Sequence, residues 1–242
     1  MSGHSKWATI KRKKASIDAA RGKVFTRIIK EITISARDGG GNPDDNPRLR
    51  LAIQNAKANN MPQENIIRGI KKGTGELEGV NYEELMYEGY APNGIAIIVE
   101  CISDNRNRAV AELRHLMSKN NGNMGESGSV SWMFDRKGVI NVEKEGTNED
   151  ELMEVILEAG ADDLKNEGDY FEVITSVPNF EKTRKTVEDK GYKIESASLQ
   201  YIPKDLIAVE GTSQEQVLKF LDAVEEHDDV QNVYTNADFQ SE

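Results

Sequence analysis

VINVEKEGTNEDELMEVILEAGADDLKNEGDYFEVITSVPNFEKTRKTVEDKGYKIESASLQY occupies residues 139–201. Val139–Val142 predicts a strand, Glu149–Ala159 a helix, and Asp163–Lys165 and Tyr170–Thr175 two further strands. Phe180–Lys190 predicts a second helix, bracketed by Pro178 and Gly191, and Ile194–Tyr201 a last strand. The order β-α-β-β-α-β is the split ferredoxin-like motif.

The flanks of this unit are each incomplete. Upstream, Tyr82–Gly89 and Ile95–Ile102 predict strands, the second nearly all apolar and therefore central. Arg106–Lys119 predicts a helix with Val110, Leu113 and Leu116 or Met117 inward, and Val130–Phe134 another strand. Downstream of Pro203 come a strand at Leu206–Val209, a helix at Gln214–Glu226 and a strand at Val230–Tyr234. Neither flank can build its own core, so the two are expected to complete one another. The expected fold class is α+β: an N-terminal helical domain followed by two α/β (ferredoxin-like) domains, one inserted in the other. The expected boundaries are 1–78, 79–134 plus 204–242, and 135–203.

The first third reads as helical. Phe25, Ile28, Ile29, Ile32 and Ala36 form one apolar stripe of a helix from about Ser16 to Arg37. Lys23, Arg27, Lys30 and Arg37 fall on another face, interrupted by Ile34. Gly39-Gly40-Gly41 ends the helix, and the loop Gly39–Asp45 is expected to be mobile. Asn46 caps a second helix with Pro47 at its first position and Leu49, Ala52, Ile53 and Ala56 inward. Arg50, Gln54 and Lys57 form its exposed stripe. Asn60-Met61-Pro62 breaks that helix, and a third runs to about Lys72 with Ile66, Ile67 and Ile70 inward. Ahead of all three lies a basic arm, Ser2 to Lys14.

Charge is distributed unevenly. The 242 residues hold 31 Lys+Arg and 42 Asp+Glu, a net of −11. Residues 1–75 carry 16 basic and 6 acidic residues, a net of +10, which leaves the remainder at −21. Such asymmetry points to a polyanion as partner. The alternative is a basic module docked on the acidic remainder of its own chain.

Several classes are excluded or disfavoured. Cys101 is the only cysteine, so there is no disulfide framework and no cysteine-based zinc site. His4, His115 and His227 are too far apart for a sequence-local metal cluster. No run approaches about 18 apolar residues, so no membrane span is expected. No apolar segment follows the basic N-terminus and patterned sequence begins by Gly3, so neither a secretory signal nor a transit peptide is expected. The expected location is the cytoplasm. Gly125-Glu126-Ser127-Gly128-Ser129 lacks the last glycine of a nucleophile elbow. Gly73-Thr74-Gly75 follows a helix and lacks a third glycine at dinucleotide spacing. The reading is not an enzyme: no catalytic residue, cofactor, metal or small-molecule substrate.

Clustered cations gain affinity for nucleic acid by releasing counterions from phosphates. The candidate phosphate contacts are Lys6, Lys11, Arg12, Lys13 and Lys14 in the arm and Lys23, Arg27 and Lys30 on the first helix. Arg48, Arg50 and Lys57 on the second helix and Arg68, Lys71 and Lys72 on the third complete them. Trp7 either stacks on an unpaired base or anchors the arm. Helices two and three resemble a helix-turn-helix only loosely. A second contact loop is expected where Ser103–Arg108 passes from strand to helix, through Arg106 and Arg108. Asp104 or Asn105 caps that helix. The Gly/Asn-rich stretch Asn120–Ser129 is either a turn or a further contact.

Gly3-His4-Ser5-Lys6-Trp7, Arg21-Gly22-Lys23, Asn46-Pro47-Arg48-Leu49-Arg50 and Asn60-Met61-Pro62 together resemble the YebC/PmpR family. So do Lys71-Lys72-Gly73-Thr74-Gly75, Tyr87-Glu88-Gly89-Tyr90, Asp104–Arg108 and Gly125–Val130. The resemblance runs over nearly the whole chain. It implies three domains, one inserted in another, and a non-enzymatic regulator. Members are usually described as DNA-binding transcriptional regulators, and others are linked to translation and ribosome binding. The implied partners are therefore DNA, or ribosomal RNA and the ribosome. The charge division itself leaves the two acidic domains free for a protein partner, and the second alternative to nucleic-acid binding is a protein-interaction scaffold whose basic module is docked internally. Lys6, Trp7, Lys11, Arg48 and Arg50 match the family's N-terminal basic pattern, and Arg106 and Arg108 its middle-domain loop. Arg12 stands where the family often has histidine, and Asn121 where a second glycine is common.

Overall fold

The computed structural model describes residues 19–239. Three helices come first: α1 (Ala19–Gly39), α2 (Pro47–Ala58) and α3 (Gln63–Gly73). Ile28, Ile32 and Ala36 of α1, Leu49, Ala52 and Ala56 of α2, and Met61 and Ile66 form one buried cluster. A Cβ on Gly73 would lie 2.3 Å from the Thr33 carbonyl oxygen, so only glycine lets α3 end against α1. Ile67, expected inward, is exposed, because the α3 stripe is narrower than its isoleucines suggest. Ile34, read as an interruption of a wet face, is fully buried: α1 is covered on two sides.

The next sheet draws on both flanks of the chain. Strands β1 (Glu83–Ala91) and β2 (Ile95–Ser103) form an antiparallel hairpin, closed by Asn93 and Gly94 at positive φ. Then come α4 (Arg106–Lys119) and the two-residue β3 (Asn123–Met124). From the end of the chain come β8 (Ile207–Val209), α7 (Gly211–Glu225), β9 (Val230–Thr235) and β10 (Ala237–Phe239). The sheet order is β3-β1-β2-β9, all antiparallel, with β8 and β10 paired parallel beside it. Ile95, Ile97, Val99 and Cys101 meet Leu113 of α4 and Phe220 and Leu221 of α7 in one core. The opposite face of β2, Ala96 and Ile98, is covered by Val130, Phe134 and Tyr234.

Between these halves lie β4 (Phe134–Glu143), α5 (Glu149–Ala159), β5 (Ala161–Asn166), β6 (Tyr170–Ser176), α6 (Phe180–Asp189) and β7 (Ile194–Pro203). Their sheet order, β5-β6-β4-β7 and all antiparallel, is that of the ferredoxin-like fold. Helices α5 and α6 pack on one face through Leu152, Ile156, Phe180 and Val187. The architecture is α+β, with a helical N-terminal domain and one α/β domain inserted in another. The discontinuous domain shares the layers of its insert but not the connections, because its first two strands form a hairpin.

Two expectations are corrected. Val130–Phe134 is not a strand: Ser131–Met133 form a 3-10 turn, and the strand begins at Phe134. The Val130 and Ser131 N–H groups are taken by a carboxylate and cannot enter a ladder. The loop Gly39–Asp45, expected to be mobile, is tied down. The Asn46 side-chain amide donates to the carbonyls of Ser35 (2.7 Å) and Gly40 (2.8 Å), and Arg50 Nε donates to that of Pro43 (3.1 Å).

Candidate nucleic-acid interface

Lys23, Arg27 and Lys30 recur at helical spacing on α1 and meet the last turn of α7 and the acidic run after it. Lys23 Nζ donates to the Glu226 carbonyl at 2.9 Å, and the Arg27 guanidinium donates to that of Glu225. Backbone carbonyls at a helix C-terminus carry partial negative charge and favour cations. Lys30 is buried. Its Nζ donates to the carbonyls of Ile102 and Asp228 at 3.0 Å each and to Asp229 Oδ1 at 2.8 Å. Asp229 Oδ2 accepts from Ser103 Oγ and from Arg108 Nη2, both at 2.8 Å. Burial raises the Asp229 carboxyl, but the bonds from Lys30, Ser103 and Arg108 and the Lys30 charge together hold it below the usual carboxylate range.

Lys30 is therefore corrected: it fastens α1 to the neighbouring domain and does not face a phosphate. The spacing of Lys23, Arg27 and Lys30 fits a wet face and an ionic seam equally well. The acceptors arrive about 200 residues later in the chain, beyond the reach of local pattern. Arg108 is also committed, to Asp229 and to Asp104 (2.9 Å). Asn105, rather than Asp104, caps α4, accepting the Arg108 N–H at 3.0 Å. Arg106 is exposed and has no acidic partner among the described residues.

On α2, Arg48 bonds Glu31 through Nε (2.7 Å) and Nη2 (3.1 Å) and also pairs with Glu84. Arg50 donates to the carbonyls of Pro43 and Asp44 and lies 3.8 Å from Glu181. These half-exposed contacts are individually weak and could exchange for phosphates. Lys57 near the end of α2 and Arg68, Lys71 and Lys72 on α3 differ from them. All four are exposed and none has an acidic partner among the described residues. Arg68, Lys71 and Lys72 stand three and four residues apart, on one side of α3. Lys6, Trp7, Lys11, Arg12, Lys13 and Lys14 lie outside the described residues.

Sequence reading missed Glu88. Its buried carboxylate accepts the N–H groups of Gly128 (2.7 Å), Val130 (2.8 Å) and Ser131 (2.7 Å), and its carbonyl accepts that of Gly125 (2.8 Å). Burial raises this carboxyl, but the backbone N–H bonds outweigh burial and lower it overall. The Gly/Asn-rich stretch is thus an ordered nest around one charge. Asn121 adopts φ +62°, a left-handed conformation that asparagine tolerates better than most non-glycine residues. The only advance sign was a run of small residues about 40 positions after a strand glutamate set between Tyr87 and Gly89.

The model for the TACO1/YebC protein N-terminal domain matches residues 5–76, and that for the TACO1/YebC second and third domain matches residues 82–237. The chain belongs to the TACO1/YebC family. A family member from Chloroherpeton thalassium is 58% identical over 237 residues, covering 98% of this chain and 95% of its own. Another from Desulforapulum autotrophicum is 55% identical over 242 residues, covering 100% and 98%. Both are named probable transcriptional regulatory protein. The crystal structure of a conserved hypothetical protein from Aquifex aeolicus superposes with a TM-score of 0.87 at 44% identity, over 95% of each chain. The resemblance noted from motifs is thereby shown for the TACO1/YebC fold as a whole.

Proposed function

We propose that this protein is a non-enzymatic regulator that binds nucleic acid through its helical domain, with DNA as target and transcription as the process regulated. The observation that carries the proposal is the set Lys57, Arg68, Lys71 and Lys72, exposed and without acidic partners among the described residues. Every candidate on α1, by contrast, is held by the chain's own carbonyls or carboxylates. The names of the Chloroherpeton and Desulforapulum relatives support the regulatory part. Long-range repulsion between phosphates and the acidic domains would turn the helical domain toward the polymer. No described helix is long and apolar enough to cross a membrane.

The test is a gel shift on duplex DNA beside co-sedimentation with ribosomes at matched salt. Retention on duplex DNA that weakens steeply with salt is expected. Binding confined to ribosomes would overturn the DNA target in favour of ribosomal RNA.

A further inference from the structure

Trp132 is 67% exposed, more than any other large apolar side chain described. A tryptophan left in water is unusual, and its mounting here is rigid. It lies in the 3-10 turn Ser131–Met133, whose entry is fixed by the Glu88 carboxylate on the Val130 and Ser131 N–H groups. Its own Nε1–H donates to the Ser129 carbonyl at 3.1 Å. Its carbonyl accepts from Lys204 Nζ at 2.9 Å. The indole's one polar group is already satisfied within the turn, so what it offers a partner is its ring face.

The charges around the turn favour one kind of partner. Lys204 bonds the turn directly, and Arg136 follows four residues later on β4. The Arg136 guanidinium lies over the Tyr201 ring at 5.9 Å, is exposed, and has no acidic partner among the described residues. Asp135 is the acidic neighbour, 3.5 Å from Lys204. A fixed aromatic face beside cations is the combination that holds single-stranded nucleic acid, by base stacking with phosphates alongside.

We propose that Trp132 is a stacking site for an unpaired base of single-stranded nucleic acid, with Lys204 bonded to the same turn and Arg136 further along β4 as the nearby cations. The inference rests on the nucleic-acid reading above and adds a second contact on a different domain. Trp7 and Trp132 are the only tryptophans, so the full-length Trp7→Phe protein reports on Trp132 alone. The probes are oligo(dT) and oligo(U) of about a dozen nucleotides, within the span of one such site. Either should quench the indole emission to saturation. In the same background, Trp132→Ala should weaken binding of both by between about fivefold and a hundredfold, while Trp132→Phe retains most of the affinity. Duplex DNA retention should be the same with and without the indole. The thermal melt of Trp132→Ala should also be unchanged, because the side chain is exposed.

Emission that does not respond to saturating oligonucleotide would overturn the site and leave the face to a protein partner. So would a Trp132→Ala protein that binds the oligonucleotides as tightly as its parent. Preference of oligo(U) over oligo(dT), abolished by Trp132→Ala, would support the site and identify RNA as the strand. The outcome is separable from the helical-domain reading, which fails instead if neutralising Arg68, Lys71 and Lys72 leaves duplex retention unaltered.

Discussion

Glu88, Asp229 and Glu172 are three buried carboxylates in three different electrostatic settings. Glu88 and Asp229 are held below their unfolded values. The stability they contribute is complete above about pH 5, beyond both unfolded values, and is lost as pH falls through the folded-state values. Glu88→Gln keeps the shape and removes the charge from three N–H bonds. A loss of about 2–3 kcal/mol is expected in urea unfolding at pH 7, together with a shallower acid limb. Burial pushes the Glu172 carboxyl up to about 7, with the Glu167 charge adding to it. Its sign is opposite: between about pH 4.5 and 7 the unfolded chain ionises first, so stability falls as pH rises. Glu172→Gln should flatten that slope, measured by urea midpoints at pH 5, 6, 7 and 8. Cys101 is buried at the centre of β2, and burial drives its thiol up to about 12, with the Asp229 charge adding. It should react with a thiol reagent at pH 8 only as fast as the sheet opens. At this scale little was legible in advance. The strand bearing Glu88 reads clearly, but its acceptor role depends on N–H groups about 40 residues away.

Among the elements, those with strong local chemistry were legible. Asn46 caps α2, accepting the Leu49 N–H at 3.0 Å, with Pro47 in the first turn. The same side chain also closes the end of α1 through Ser35 and Gly40, which no local rule announces. Asn46→Ala should therefore cost about 2–3 kcal/mol, beyond a simple cap, while Asn46→Ser should recover only the cap's share of about 1 kcal/mol. Chemical denaturation of the two variants distinguishes these contributions. The ferredoxin-like insert was legible because its strands and helices alternate with clear periods. Val130–Phe134 was misread because an apolar run can serve a turn as well as a strand; here Val130 and Phe134 cover β2 while Trp132 faces water. β10 follows Asn236 and has Asp238 at its centre, so no apolar run marks it, whereas β8, equally short, reads through Leu206-Ile207-Ala208-Val209.

For the whole molecule, the helical domain touches both others. The α1 seam ends on the buried Lys30–Asp229 pair, and on the other side Leu51 joins the core of the insert while Arg184 reaches Gln54. Asp229→Leu strands the buried Lys30 ammonium and should cost about 3–5 kcal/mol, whereas Lys30→Met leaves Asp229 held by Arg108 and Ser103 and should cost less; the double variant should cost less than the sum of the two. A double-mutant cycle by urea unfolding measures this. We propose that the chain divides at 78/79, 134/135 and 203/204. Phe134 pairs with Pro203, so the ends of the insert lie side by side. Replacing 135–203 by a short Gly/Ser link should then leave Cys101 protected; a freely reactive thiol would contradict the division. Charge asymmetry was legible in the sequence, but which cations would be committed internally was not. That partition depends on the 225–229 segment meeting α1 in space.

The central claim is that the cations of α3 neutralise phosphates while those of α1 do not. Its most direct test is the slope of log Kobs against log salt for duplex DNA, in the native protein and in Arg68→Ala/Lys71→Ala/Lys72→Ala. Each phosphate contact removed lowers the slope by about 0.9, so a reduction of about 2 to 3 is predicted. An identical slope in the two proteins would contradict the account.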